Sequence, residues 1–141
     1  MDRRGVMGLP VRLGVALLIL ALTAPSLVAA AEHFDREAEV SELRLAADTV
    51  YDAAGRVWYS GSGGCETVDV SVPSGCSIVF GGEGADAWSY ALYRNGEEVS
   101  REYPETPAVR FLGSSEIAGS GEIKIVCRNA DGGYGVEVTP L

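Results

Sequence analysis

Between residues 40 and 57, apolar side chains recur every three or four positions, and five charged residues lie among the positions between them. This spacing places the apolar side chains along one stripe of an α-helix. The members of the stripe are Val40, Leu43, Ala47, Val50, Ala54 and Val57. The glycines from Gly61 onward favour the left-handed backbone in which helices commonly end. The pattern therefore predicts an amphipathic helix over residues 32–60.

Upstream of this helix lies an uncharged apolar run of 19 residues, Leu13–Ala31. Arg3, Arg4 and Arg12 precede the run, and three alanines end it before Glu32. A basic start, an apolar centre and small residues at the end are typical of a cleaved export signal. The same run would form a helix of about 28 Å, close to the roughly 30 Å of a bilayer core. Residues 1–31 are therefore interpreted as a signal peptide or a membrane anchor, and the remainder is expected to be extracytoplasmic.

After Gly64 the period of the apolar pattern changes to two, which is the period of a strand with one buried face. Residues 68–72 alternate valine with polar residues, and residues 76–80 continue the alternation after Pro73-Ser74-Gly75. We predict that these two segments form a hairpin, with Val72 opposite Cys76.

Asn95-Gly96 separates two further strand-like segments, and this dipeptide is a strong signal for a two-residue hairpin loop. Such a loop fixes the register of the two strands. The predicted pairs are Tyr93 with Glu98, Leu92 with Val99, Tyr90 with Arg101, and Trp88 with Tyr103.

The C-terminal third adds a short edge strand over residues 109–112 and a last hairpin formed by residues 122–128 and 134–139. Six or seven strands in total predict a small antiparallel β-sandwich or barrel over residues 61–141. The expected fold class is α+β, in which the apolar segment and the amphipathic helix precede this β-rich head.

The charge balance excludes some partners. Removing Asp2 and the three arginines that precede residue 32 leaves 19 acidic and 8 basic residues, a net charge of −11. Such a surface repels the phosphates of nucleic acids and anionic lipid head groups. We therefore expect no nucleic-acid partner, and we expect contact with a membrane only through an uncleaved N-terminal segment.

Three cysteines leave one bridge and one free thiol as the simplest arrangement in an exported chain. Cys76 and Cys127 both fall on the apolar faces of their predicted strands, which favours a disulfide between them. A bridge between Cys65 and Cys76 is disfavoured because the predicted turn sets Val72 opposite Cys76. The pairing of Cys65 with Cys127 remains as an alternative.

No motif predicts catalysis. His33 is the only histidine and lies just beyond the possible cleavage point, where a general base would be poorly held. A Ser-His-Asp or Cys-His arrangement is therefore not expected. With one histidine and no Cys-x-x-Cys spacing, a zinc site is not expected either. The sequence predicts a non-enzymatic protein without a metal or other cofactor.

Four aromatic residues gather on the Asn95-Gly96 hairpin, and they are Trp88, Tyr90, Tyr93 and Tyr103. Aromatic strips on strands serve either in core and cross-strand packing or as a recognition surface for sugars or proteins. Tyr93, on the face opposite Trp88, is expected to be the most exposed of the four. This pattern supports one functional hypothesis, a secreted β-sandwich that binds a ligand such as a carbohydrate.

The order of the segments and the residue types within them also resemble those of small archaeal type IV pilin-like and cell-surface proteins. The resemblance includes Arg3-Arg4-Gly5 before the apolar run, the helical residues 46–55, the segment Val68–Gly75 and the segment Ile117–Ile125. It implies a helix that serves as membrane anchor or filament core, a β-rich head that contacts protein or envelope partners, and self-assembly. It also implies cleavage after Gly5 by a prepilin peptidase. The leading hypothesis is therefore an extracytoplasmic pilin-like or cell-surface module.

Overall fold

The structure is a computed structural model that describes residues 3–130 and 133–141. One long helix is followed by a β-rich region with a single short 3-10 helix among the described residues. The elements are α1 (Arg3–Ser60), β1 (Cys65–Ser71), β2 (Cys76–Gly81), the 3-10 helix (Gly84–Trp88), β3 (Tyr90–Arg94), β4 (Glu97–Glu102), β5 (Ser114–Ala118), β6 (Ser120–Ala130) and β7 (Gly133–Pro140).

The seven strands form two antiparallel sheets, one with the order β1-β6-β7 and one with the order β4-β3-β2-β5. The predicted α+β fold, with a helix followed by seven antiparallel strands, is confirmed. The chain divides into two compact units, which meet between Ala38 and Glu39. The second unit, which we call the head, contains residues 39–60 of α1 together with both sheets.

Within the head, the predicted helical stripe faces the core. Leu43, Ala47, Val50 and Ala54 are fully buried, and Val57 is nearly so. The helix ends at Ser60, and Gly61 takes a left-handed φ of 87°, as expected of a glycine that follows a helix.

Both sheets contribute to the same core as this stripe. The largest buried side chains of the sheets come from β2, β3, β5, β6 and β7 and include Ile78, Phe80, Leu92, Ile117, Ile125 and Val136. Because helix and sheet residues form one buried cluster, residues 39–60 of α1 are an integral part of the core.

The predicted hairpin of residues 68–72 and 76–80 is wrong. β1 pairs with β6, setting Val68 opposite Ile123, whereas β2 pairs with β3 and β5 in the other sheet. The Pro73-Ser74-Gly75 turn carries the chain from one sheet to the other, with Gly75 at a φ of 78°. The apolar faces of β1 and β2 therefore meet across the core and not side by side.

The Asn95-Gly96 hairpin forms as predicted, but its register changes part of the way along. Both turn residues have positive φ, and Tyr93 pairs with Glu98. A β-bulge then inserts Val99, so that Leu92 faces Ser100 and Tyr90 faces Glu102. The predicted pairs of Leu92 with Val99 and Tyr90 with Arg101 are therefore wrong by one residue. Trp88, in the 3-10 helix, has no strand partner.

The segment between β4 and β5 joins the two sheets. Residues 109–112 do not form the predicted edge strand, and Phe111 makes only an isolated parallel bridge to Val136. The Leu112 N–H donates to the Val136 carbonyl, and the Val136 N–H donates to the Arg110 carbonyl. β5, which the apolar pattern did not reveal, follows this segment. The last predicted hairpin is confirmed as β6 and β7; Asp131 and Gly132 of its loop lie outside the described residues.

Gly55 allows the same connecting segment to pass close to the helix. A Cβ atom at this position would lie 2.9 Å from Cγ of Pro107. Nearby, the Tyr51 hydroxyl donates to the Pro107 carbonyl and accepts from the Val109 N–H at 3.2 Å. Glycine inside a helix normally lowers its stability, so the close contact with Pro107 explains why it stands here.

We predict that Gly55→Ala destabilises the head by about 1–3 kcal/mol, since the added methyl group must displace Pro107. In an exposed helix, the same substitution would stabilise by up to about 1 kcal/mol. Thr49→Ala, on the exposed side of α1, is the matched control and should stabilise the head by up to about 0.7 kcal/mol, since alanine is the better helix former. Urea denaturation of the full chain in detergent measures both. A stabilising Gly55→Ala would show that the contact imposes no constraint.

Candidate functional site

The first part of α1 is apolar on all sides, and its side chains are exposed. An 18-residue window in this region has a mean hydropathy of 2.3, and none of it is buried. The exposed large side chains are Val11, Leu13, Val15, Leu17, Leu18, Ile19, Leu20, Leu22, Leu27, Val28 and Phe34. A helix that is apolar all round is normally covered by protein or by lipid. This segment is therefore compatible with a membrane anchor or a signal sequence.

Two residues within the apolar segment are of kinds that membrane helices tolerate. Pro25 cannot donate the backbone hydrogen bond to the Ala21 carbonyl, and the Thr23 hydroxyl donates to the Ile19 carbonyl at 2.8 Å. Polar residues follow the apolar run, where His33 and Glu37 form a pair at 3.0 Å on the exposed helix surface.

Tyr90, one of the four aromatic residues considered for recognition, belongs to the core. It is 2% exposed. Its hydroxyl donates to Glu102 at 2.6 Å and lies 3.3 Å from Asp48 of α1. Burial is the main cause that raises the pKa of Tyr90, because it disfavours the charged phenolate. The carboxylate of Glu102 raises this pKa further, because it accepts a hydrogen bond from the neutral hydroxyl and would repel the phenolate. Its interpretation as a recognition residue is therefore corrected: Tyr90 ties the sheet to the helix.

The other three predicted aromatic residues do not form one strip. Tyr93 is half-buried on β3. Tyr103 is 51% exposed, and its hydroxyl donates to Asp86 at 2.7 Å. This hydrogen bond is the main cause that raises the pKa of Tyr103. Trp88 is 39% exposed, so Tyr93 is not the most exposed of the four.

Trp88 instead belongs to an aromatic cluster that the sequence did not reveal. Its ring centroid lies 6.2 Å from that of Trp58 at the end of α1, and Trp58 lies 4.7 Å from Tyr134 of β7. The Tyr134 hydroxyl donates to the Trp58 carbonyl at 2.7 Å, which anchors the helix end to the sheet. We call Trp58, Trp88 and Tyr134 the aromatic cluster. Trp58 follows the last stripe residue directly, and this was the only local signal for its place beside the core.

All three cysteines are free, so the predicted bridge between Cys76 and Cys127 is not formed. Cys76 lies opposite Arg94 on β3, and Arg94 pairs with Glu39 near the start of the head. Cys127 lies beside Tyr134, whose hydroxyl bonds Trp58 near the end of α1. Glu39 and Trp58 are separated by about 28 Å of helix. A disulfide requires Cα atoms within about 7 Å, so the two thiols sit at opposite ends of the core and cannot pair.

Cys65 is also separated from Cys127. Cys65 pairs with Val126, the residue that precedes Cys127 on β6. Adjacent residues of a strand point to opposite faces, so the exposed Cys65 side chain and the buried Cys127 side chain lie on different sides of the sheet. This remaining pairing is therefore not formed either.

In residues 3–130 and 133–141, no three His, Cys, Asp or Glu side chains come together as metal ligands would. Comparison of the chain with family models, with characterised proteins and with solved structures finds no match. A functional assignment therefore depends on the chain's own residues.

We predict that iodoacetamide modifies Cys65 alone in the native protein and all three cysteines after denaturation without reductant. Burial raises the pKa of the Cys76 thiol, which keeps it protonated and slow to react, and Cys127 is fully buried. Intact-mass spectrometry counts the added groups. Only one modified thiol in the denatured protein would reveal a disulfide and contradict the structure.

Proposed function

We propose that this protein is a non-enzymatic, extracytoplasmic, pilin-like or cell-surface module held in the membrane by its N-terminal helix. One observation carries the proposal. A single uninterrupted helix, Arg3–Ser60, is apolar and exposed in its first part and supplies core residues to a β-rich head in its second part.

The two parts of α1 differ in their surroundings, and this difference supports an anchor. Residues 13–31 provide about 28 Å of apolar helix, enough to cross a bilayer core. From Leu43 to Val57 the same helix supplies buried stripe residues to the head. The head therefore depends on residues 39–60 of α1 for its core, and the apolar residues of the same helix precede it in the chain.

The charges on either side of the apolar run support an outward-facing head. Arg3, Arg4 and Arg12 precede the run, and Glu32, Asp35 and Glu37 follow it closely. Basic residues near the end of a membrane helix favour the cytoplasmic side. The net charge of −11 beyond residue 31 suits a surface that stays soluble outside the cell.

The resemblance to archaeal pilin-like proteins fits this arrangement, since those proteins combine an apolar helix with a β-rich head. Self-assembly and contact with envelope partners are part of the proposal on that basis. The non-enzymatic character is supported by the position of His33, which lies outside the head and pairs with Glu37.

We predict that the full chain stays in the membrane fraction after carbonate extraction when it is produced in its native host. Replacing Leu18 and Leu22 by Asp should release it, because two central aspartates add about 6 kcal/mol to the cost of insertion. Leu45→Asp, which changes an exposed leucine of the head, is the matched control and should remain in the membrane fraction.

Intact-mass analysis of the same membrane fraction defines the processing. Full-length protein supports a simple anchor, and a chain that starts at Val6 supports the pilin-like class. A chain that starts at Glu32 would have lost the anchor, which would overturn the proposal and favour a secreted protein.

We infer a second candidate function, ligand binding by a secreted head, from the partial exposure of the aromatic cluster. Trp88 is 39% exposed beside Trp58 and Tyr134, and flat aromatic faces of this kind bind sugar rings. This candidate places the site at the aromatic cluster and not along the aromatic residues of the Asn95-Gly96 hairpin.

We predict that, if the head binds carbohydrate, Trp88→Ala abolishes the signal on a glycan array while Tyr93→Ala preserves it. Both substitutions remove an aromatic side chain, but Tyr93 lies on β3 outside the aromatic cluster. The absence of binding by the unmodified protein, or equal loss in the two variants, would exclude this candidate.

A further inference from the structure

The outer edge of β1 offers unused backbone hydrogen bonds. The Cys127 N–H donates to the Gly64 carbonyl, and the Val72 N–H donates to the Gly119 carbonyl. In an antiparallel ladder every second residue bonds the strand opposite, so residues 64, 66, 68, 70 and 72 face β6. Thr67, Asp69 and Ser71 therefore direct their N–H and C=O groups away from β6. Within residues 3–130 and 133–141, no further strand pairs with β1 on that side.

The corresponding edge of the other sheet is protected. β4 carries Glu97, Glu98, Arg101 and Glu102, and its bulge interrupts the regular ladder. Charged residues and bulges are common devices that prevent an edge strand from pairing with another chain. β1 has no bulge in its ladder with β6, and Asp69 is the only charged residue among those that direct backbone groups outward. The two edges differ, and only β4 is protected against strand addition.

A cleft of about 350 Å³ runs between this open edge and α1. The buried residues Ala46 and Val70 line it, together with Leu45 of the helix. Leu45 is 68% exposed, although it directly precedes the buried Ala46. A strand added beside β1 would extend the sheet over this part of the helix and cover Leu45.

The negative charge of the cleft determines which kind of segment can bind there. Glu42 and Asp69 both line it, and neither has an ion-pair partner among the described residues. A second copy of this chain, paired through its own β1, would bring two Asp69 side chains close together between molecules that each carry a net charge of −9. Like charges that face each other across a pair of strands are destabilising. The cleft instead complements a segment that carries lysine or arginine.

We propose that the open edge of β1 and the adjoining cleft form a strand-addition site for another protein. The occupant is an extended segment in which a lysine or arginine stands between apolar residues. Its backbone pairs with Thr67, Asp69 and Ser71. Its basic side chain lies beside Asp69 on the outer face of β1, and an apolar neighbour on the helix-facing side covers Leu45. Main-chain pairing supplies affinity in such complexes, and the alternating side chains supply specificity. The site lies wholly within the head, so it goes beyond the proposed anchoring function and does not depend on it.

The test uses the full chain in detergent and a fluorescent, end-blocked peptide of alternating valine and threonine with a central lysine. Fluorescence anisotropy should show saturable binding that weakens as salt is raised. N-methyl groups on the peptide residues that face β1 should abolish binding, because they remove the inter-strand donors. N-methyl groups on the alternate residues should leave binding unchanged. Equal effects of the two methylation patterns, or no binding, would overturn the proposal.

Two variants of the protein test the charge and the edge separately. Asp69→Lys should weaken binding by at least about tenfold, since it places like charges together. Glu97→Lys makes the same change on the protected β4 edge and should leave binding intact. Thr67→Pro removes an outward N–H without breaking the ladder to β6, and it should abolish binding. Equal weakening by Asp69→Lys and Glu97→Lys would show that only the overall charge attracts the peptide.

Self-association is the remaining alternative. Sedimentation of the detergent-solubilised chain should be unchanged by Thr67→Pro. A larger species that Thr67→Pro dissolves would identify a second copy as the occupant and overturn the assignment of a basic partner. The peptide measurement does not require membrane anchoring, so its failure and the failure of the proposed function are distinguishable.

Discussion

The head depends on the burial of one narrow helical stripe against two sheets. Ala47, Val50 and Ala54 are fully buried in the core that they share with side chains of both sheets. Burial of each valine-sized side chain contributes about 1.5–3 kcal/mol. Without residues 39–60 of α1, the core would lose its fully buried helical side chains, so helix and sheets must fold as one unit.

Polar contacts at the rim of this core define how the helix is seated. Tyr90 bonds Glu102 and lies close to Asp48, Arg94 pairs with Glu39, and the Tyr134 hydroxyl bonds the last turn of α1. These contacts come from both sheets and are distributed from the beginning to the end of the helical stripe. They satisfy groups that would otherwise be costly to bury, and they favour one position of the helix along the sheets. Packing supplies the stability, and the hydrogen bonds select the register.

The features predicted correctly are those whose signals are local. The helical stripe, the Asn95-Gly96 turn and the alternation of Ile123 and Ile125 each occupy one short stretch of chain. The errors arose where distant segments compete. β1 could pair with β2 or β6 on its apolar pattern alone, and the bulge at Val99 has no signature in the residues around it. The aromatic cluster unites three segments far apart in sequence, and the reason for Gly55 becomes visible only when Pro107 packs against it.

The placement of the cysteines has a consequence for the conditions under which the head can exist. Cys76 and Cys127 lie at opposite ends of the core, each enclosed by side chains, and no covalent cross-link contributes to the fold. Folding therefore requires no oxidant, and a reducing compartment leaves the native state unchanged. A domain of this kind persists in oxidising and in reducing surroundings through side-chain packing.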